Sequence, residues 1–273
     1  MQLLFLINEK LKKIILKTKI LDLFKLKGHV ALIIGGNRGL GLEMAKALAE
    51  AGAGICIAAR SVKENEEAVN LISQQYGVVC KSVVCDVTSE QSVQQTVQQT
   101  VQFFGKIDIL INSAGINIRG AIEDLSLGEF NKVQQVNVTG SWLACREVLP
   151  IMKRNGYGRI INIASMLAVT AIPERTAYAT SKGAILQLTR SLAMEVATEK
   201  INVNAILPGP FATDLNLPLT DDIEKYNAFI AKIPMGRWGE LYEIGGIALY
   251  LASPASSYTT GACFSVDGGW TTV

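Results

Sequence analysis

A single histidine, His29, occurs among the 273 residues, and none of the five cysteines stands in a CxxC pair. A His-based catalytic triad, a zinc site and a disulfide framework therefore lack their raw material, and no metal ligand set is expected. Cys56, Cys80, Cys85, Cys145 and Cys263 are expected as small buried hydrophobes in a reducing, cytoplasmic compartment. Charge is scarce as well: 18% of residues carry it, against roughly 25% in an average soluble domain. The net charge of +2 gives no footprint for nucleic acid. No apolar run approaches the ~18 residues that would span a bilayer. Apolar residues nevertheless reach 49%, and a chain of this length buries about three quarters of its unfolded surface. An ordered, well-buried domain is expected.

Charge is unevenly spread, and this marks a boundary. Residues 1–27 hold seven lysines against Glu9 and Asp22, whereas the rest of the chain has a slight acidic excess. Leu4, Ile7, Leu11, Ile14 and Ile15 recur at helical spacing between lysines. Residues 1–25 thus read as a lysine-rich amphipathic extension ahead of a domain over 26–273. It could lie on an anionic membrane surface, pack on a partner subunit, or be a leader without a role. A secretory signal fits poorly, because Asn8 and Glu9 interrupt the short run Leu3–Ile7.

From Gly28 onward, short β-branched runs alternate with helical stretches. Val30–Ile34, Ile55–Ala59, Val83–Cys85, Ile109–Ile111, Arg159–Ala164, Ile201–Leu207 and Cys263–Val266 suit strands buried on both faces. Leu40–Ala51, Val62–Gln75, Glu90–Phe104, Glu129–Met152, Ala177–Ala197 and Glu240–Leu251 suit helices. In Gln91–Gln102 the valines at 93, 97 and 101 form one apolar stripe, which leaves the glutamines to solvent. Repeated alternation implies an α/β fold: one doubly wound domain with a seven-stranded parallel sheet flanked by helices.

The first turn of that sheet carries chemistry. After Val30–Ile34 come Gly35, Gly36, Asn37, Arg38, Gly39, Leu40 and Gly41, then a helix. Glycines here let the backbone approach a pyrophosphate, whose charge the helix N-terminus favours. The spacing is GxxxGxG rather than GxGxxG. An NAD site places a carboxylate at the end of the second strand to hold the ribose hydroxyls. Here Ala59 and Arg60 stand instead, and Arg60 with Arg38 suits a 2′-phosphate. NADP is favoured over NAD, although Arg60 could equally be an ordinary surface residue.

Tyr178 and Lys182, four residues apart, share a helical face. An ammonium beside a phenol is expected to lower the tyrosine pKa and ready it for proton transfer. The pair alone arises readily by chance. Ser165, however, ends the strand Arg159–Ala164, where parallel sheets bind ligands, and its hydroxyl is placed to meet a carbonyl oxygen.

With these residues in place, the sequence from about residue 26 to 273 resembles the short-chain dehydrogenase/reductase family and its Rossmann-type fold. Gly35–Gly41 matches the family's glycine turn, and Asp86 with Val87 matches its adenine-contacting pair. Asn112, Ser113, Ala114 and Gly115 correspond to its Asn-Asn-Ala-Gly run. Pro208, Gly209 and Thr213 match the segment at the nicotinamide end. The resemblance implies that Tyr178 protonates the substrate oxygen, Ser165 steadies the carbonyl, Lys182 binds the nicotinamide ribose and biases Tyr178, and Asn137 holds a relay water. Asn137 could instead cross-link its helix, and Asp86 could start one. Two positions depart from the pattern: Ile34 replaces a threonine, which removes a hydrogen bond from the turn, and Ser113 replaces the second asparagine.

The resemblance further implies a small carbonyl or alcohol substrate under a lid at about 209–235, with Leu215, Leu217, Leu219, Tyr226 and Phe229 available to line it. Gly209–Thr213, Ile233–Gly239 and Val266–Trp270 are most similar to the gluconate 5-dehydrogenase-like branch, which points to a sugar acid or polyol. A 3-oxoacyl-carrier-protein reductase is the alternative enzyme, and a catalytically silent NADP(H)-binding subunit the alternative of another class. Glu129–Met152 and Ala177–Ala197 hold more apolar residues than one stripe requires. A homotetramer is expected, built on these helices and on contacts through 267–273.

Overall fold

The structure is a computed structural model that describes residues 19–213, 227 and 229–272. Seven parallel strands form one sheet among these residues: β1 (Val30–Ile34), β2 (Gly54–Ala59), β3 (Cys80–Val84), β4 (Ile109–Asn112), β5 (Gly158–Ile163), β6 (Ile201–Pro208) and β7 (Cys263–Val266). Their order is β3-β2-β1-β4-β5-β6-β7. The order reverses between β1 and β4, and this topological switch is where such sheets bind ligands.

The helices are α1 (Gly39–Glu50), α2 (Val62–Tyr76), α3 (Glu90–Phe104), α4 (Leu127–Gln134), α5 (Gly140–Asn155), α6 (Thr176–Val196) and α7 (Gly245–Ala252). Strand periodicity divides the core. Ala31 and Ile33 of β1 face one cluster with Met44 and Leu48 of α1, Ile72 of α2 and Leu251 of α7. Leu32 and Ile34 face the other, with Val93 and Val97 of α3, Val148 and Met152 of α5, and Leu192 of α6. Each strand residue thus enters a packed layer, which accounts for unbroken apolar runs. Cys56, Cys80, Cys85 and Cys145 are buried and Cys263 is half-buried, all as free thiols.

Some boundaries differ from expectation. The third strand starts earlier, at Cys80, and its edge position leaves Val84 exposed. The stretch expected as one helix over Glu129–Met152 is α4 and α5 joined by a π-turn at Gln135–Thr139. The last helix opens with a 3-10 turn at Leu241–Ile244. The surplus apolar residues of α5 and α6 are mostly buried within the chain, because these helices pack on the sheet and on neighbouring helices together. Leu143, Ala144, Val148, Ile185, Leu186 and Leu192 are core residues, whereas Trp142 and Met194 stay outside.

Leu26 is fully buried, with a main-chain bond from its N–H to Ala51 O at 2.8 Å. Of the N-terminal extension only residues 19–25 are described. Ile20–Phe24 is a 3-10 turn, with Ile20 and Leu21 exposed. The amphipathic stretch before it lies outside the described residues, as do Leu215, Leu217, Leu219 and Tyr226 of the expected lid. No helix among the described residues is long and apolar enough to cross a membrane.

Candidate active site

A cavity of about 950 Å³ opens at the C-terminal ends of β1, β2, β4, β5 and β6. Its floor is the glycine turn. A Cβ on Gly35 would lie 2.6 Å from Ala114 N, and one on Gly41 would lie 2.0 Å from the Gly35 carbonyl. No side chain fits at Gly35 or Gly41, so bare main chain faces the cavity there, and Gly39 and Leu40 continue the lining. Arg38 precedes α1 without capping it through its side chain. The N–H groups and positive dipole end of α1 remain available to a phosphate. Ile34 does not loosen this turn: it is buried in the core, while Gly35 N donates to Ala58 O at 2.8 Å and Ser113 N to Ile34 O at 2.9 Å.

Ala59, Arg60, Asp86, Val87, Ala114, Gly115, Pro208, Gly209 and Thr213 continue the wall around Asn37 and Arg38. Asp86 accepts from Thr88 N at 2.9 Å and Thr88 Oγ1 at 2.8 Å. These bonds hold its carboxyl below the usual range. The helix start belongs to Ser89, whose Oγ accepts from Ser92 N at 3.2 Å, so Asp86 is left at the cavity. Gly209 lets the segment from β7 close in, since its Cβ would fall 2.5 Å from Asp267 Cα.

Two assigned residues stand back from the cavity. Asn112 is buried between strands, where its Nδ2 donates to Asn162 Oδ1 at 2.9 Å. It ties β4 to β5 rather than lining the cofactor wall, because the in-out alternation of β4 turns it toward α5. Asn137 occupies the π-turn and is also buried. Its Oδ1 accepts from Ile116 N at 2.8 Å, and its Nδ2 donates to Ile116 O at 3.0 Å and Ser181 Oγ at 2.9 Å. The π-turn is the local irregularity that aims this side chain at the loop after Gly115, a device frequent at functional sites.

Ser165, Tyr178 and Lys182 line the same cavity. Ser165 follows β5 and its Oγ accepts from Leu167 N at 3.2 Å. Tyr178 and Lys182 rise one turn apart from α6. Lys182 Nζ donates to Ile163 O at 2.7 Å and lies 5.5 Å from the Tyr178 ring centre. The pKa directions differ from the sequence expectation. Desolvation pushes the Tyr178 phenol up to about 12, opposed by a hydrogen bond with Ser165. Desolvation also pulls Lys182 down to about 8. The ammonium is aimed at the Ile163 carbonyl and at the ring rather than at the phenol oxygen, so burial outweighs the expected attraction.

Several lining residues escaped the sequence reading. Glu64 accepts from Asn37 Nδ2 at 2.7 Å and lies 3.8 Å from Arg38 Nη1. It stands four residues beyond Arg60, one turn along α2. Arg119 follows the Asn112–Gly115 run, and Arg175 stands directly before α6, three residues ahead of Tyr178. Lys232 also escaped it and completes the far wall with Phe229, which the sequence did offer as a lining residue; Phe229 packs on Trp270 with ring centres 4.9 Å apart.

This parallel sheet, with a glycine cradle at its switch point and serine, tyrosine and lysine on one wall, defines a dinucleotide-dependent oxidoreductase. A family model described as Enoyl-(Acyl carrier protein) reductase matches residues 34–271. The chain belongs to the short-chain dehydrogenase/reductase family, whose members bind NAD(P) and act on alcohol and keto groups. It is 36% identical over 252 residues to a 3-oxoacyl-acyl-carrier-protein reductase of rhamnolipid biosynthesis from Pseudomonas aeruginosa, covering 90% of this chain and 98% of that one. It is 35% identical to gluconate 5-dehydrogenase of Gluconobacter oxydans, covering 92% and 97%. Among solved structures, a gluconate 5-dehydrogenase from Burkholderia cenocepacia in complex with NADP and tartrate superposes with a TM-score of 0.90 at 35% identity, covering 93% of this chain and 100% of that one.

Proposed function

We propose that the protein is an NADP-dependent oxidoreductase that interconverts a secondary alcohol and a ketone on a sugar acid or polyol. The observation that carries this reading is one cavity with Ser165, Tyr178 and Lys182 at one end and Arg38 and Arg60 at the other. Bound there, the nicotinamide supplies or accepts the hydride. Gly35, Gly39 and Gly41 admit the pyrophosphate to the α1 N-terminus, and Arg60 with Arg38 holds a 2′-phosphate. Tyr178 Oη delivers the proton to the carbonyl oxygen in reduction and withdraws it in oxidation. Ser165 Oγ donates to the same oxygen. Lys182 orients the ribose, and with an ordinary pKa already depressed it remains a facile proton carrier beside Tyr178. Asn137 is a positioning residue that fixes the loop at Ile116.

The relatives named gluconate 5-dehydrogenase support the sugar-acid class, and the relative that holds NADP supports the cofactor. A 3-oxoacyl-carrier-protein reductase is the second reading, favoured by Leu167, Ile172 and Phe229, which give the far wall an apolar portion. NADPH oxidation against ketogluconates, acetoacetyl thioesters and simple diketones separates the two. No turnover with any of them would leave only a silent nucleotide-binding subunit. In this reading residues 26–273 are the catalytic unit, the segment about 209–235 is its lid, and the enzyme works in the cytoplasm as a homotetramer. Outward-facing Trp142 and Met194 support assembly on α5 and α6.

A further inference from the structure

The far half of the cavity, beyond Tyr178, is positively charged. Arg175, directly before α6, lines it while keeping only 9% of its surface exposed. Its Nη1 donates to the Glu174 carbonyl at 2.8 Å. Among the described residues it makes no ion pair with a carboxylate within 4.0 Å, although the charge of the exposed Glu174 beside it acts on it. A guanidinium carries five donors in a fork that matches a carboxylate, so most of this one's capacity is left for something that enters the cavity. Arg119 lines the same wall, close enough that the two positive charges act on each other. The described carboxylates of the cavity, Glu64 and Asp86, are engaged at the cofactor end with Asn37 and Thr88.

The backbone holds the two arginines together. Glu174 adopts φ +61°, an uncommon left-handed conformation for a residue with a side chain. Its carbonyl thereby accepts from both Arg175 Nη1 and Gly120 N, the latter at 3.3 Å, which links the Arg119 loop to the start of α6. Strain kept at such a point marks a place where geometry is used. Arg175 and Tyr178 line the same cavity, so an anion on the guanidinium shares that space with the reacting oxygen.

We propose that Arg175, with Arg119 beside it, binds the carboxylate of the substrate, and that the substrate is a hydroxy or keto acid held by this group while its carbonyl meets Ser165 and Tyr178. This rests on the hydride-transfer reading above and narrows it. A carboxylate forms paired, charge-assisted bonds with the fork, which a neutral ketone cannot.

The test compares kcat/KM for a ketogluconate with that for a neutral diketone, using NADPH, in the wild type, Arg175→Gln and Arg175→Lys. The acid-to-neutral ratio is expected to fall at least tenfold in Arg175→Gln, chiefly through KM, with partial recovery in Arg175→Lys. NADPH affinity, read by its fluorescence, reports that each variant is folded. A ratio that moves less than threefold overturns the proposal. Tryptophan fluorescence titrated with gluconate reads the subsite without turnover, because Trp238 and Trp270 pack around Phe229. Saturable quenching in the wild type, weakened at least tenfold in Arg175→Gln, supports the subsite even if no ketone is reduced. Turnover of neutral ketones by a wild type that neither reduces nor binds the acids sinks the subsite and leaves hydride transfer standing.

Discussion

Replacing Lys182 with methionine should make the protein more stable and inactive. Methionine keeps most of the stem that fills the wall and removes an ammonium that folding strips of water. The pKa of Lys182 falls from the ordinary 10.5 to about 8. At about 1.36 kcal/mol per unit, the charged lysine sets about 3 kcal/mol against folding at neutral pH. The variant also leaves the Ile163 carbonyl without its donor at 2.7 Å, a loss of about 1 kcal/mol. The net gain is about 2 kcal/mol at pH 7, or about 4–8 °C in Tm for a domain of this size. The pH dependence gives the sharper check. Between pH 8 and 10.5 the unfolded chain holds a proton that the folded chain has released, so wild-type stability rises with pH across that window. The variant's advantage should therefore shrink from pH 8 upward, vanish at about pH 9.5 and reverse by about 1 kcal/mol at about pH 10.5, where only the lost hydrogen bond still counts. Tyr178, whose folded pKa is raised, lowers stability only above pH 10, and it does so in both proteins. Thermal melts of the pair at pH 7, 9 and 10 at constant ionic strength would measure this. A variant less stable at pH 7, or a difference that stays constant across the series, would refute a desolvated lysine here.

Tyr178→Phe should lower kcat by about 10²–10⁴-fold, the usual worth of a positioned proton donor, with NADPH binding retained; a variant keeping more than a tenth of kcat removes Tyr178 from the mechanism. Ala59→Asp combined with Arg60→Ala should move preference toward NAD, because the new carboxylate accepts from a ribose hydroxyl and repels a 2′-phosphate; an unchanged NADP/NAD ratio of kcat/KM shows that these positions do not read the ribose. Gly41→Ala drives a methyl group against the Gly35 carbonyl at 2.0 Å and should destabilise the chain by about 1–3 kcal/mol while weakening NADPH binding at least tenfold; wild-type affinity would show that the turn yields freely. Light scattering at micromolar concentration should give four times the 29.4 kDa chain mass, and a monomer rules out the assembly.

The strands were legible because two-sided burial leaves continuous β-branched runs, and Val30–Ile34 is buried at every position. The glycine turn, Ser165 and the Tyr178–Lys182 pair were legible for a different reason: each is a local pattern at a strand end or on one helical turn. What escaped depends on distant neighbours. Nothing near Asn137 announces a π-turn, which follows from its bonds to Ile116, twenty-one residues before it. The inward turn of Asn112 depends on its partner Asn162, fifty residues away. The direction of the Tyr178 pKa needed the burial of its ring and the aim of Lys182, neither of which spacing encodes. Nothing local marks Arg175, whose role in the wall depends on a side chain that is 9% exposed and lines the cavity.

The switch in strand order has a consequence for synthesis. β1 pairs with β2 in the register Val30↔Gly54, but its other edge waits for Ala31↔Ile109. A ribosome adding about 5–20 residues per second needs roughly 3–11 s to make the intervening stretch. Throughout that interval the nascent chain presents a half-paired strand of Val30, Ala31, Leu32, Ile33 and Ile34, apolar on both sides, with one row of main-chain donors and acceptors open. Such an edge is a template for any other extended chain. A strand flanked on both sides in the finished sheet is thus an adhesive edge at birth, until residues 109–112 arrive to cover it.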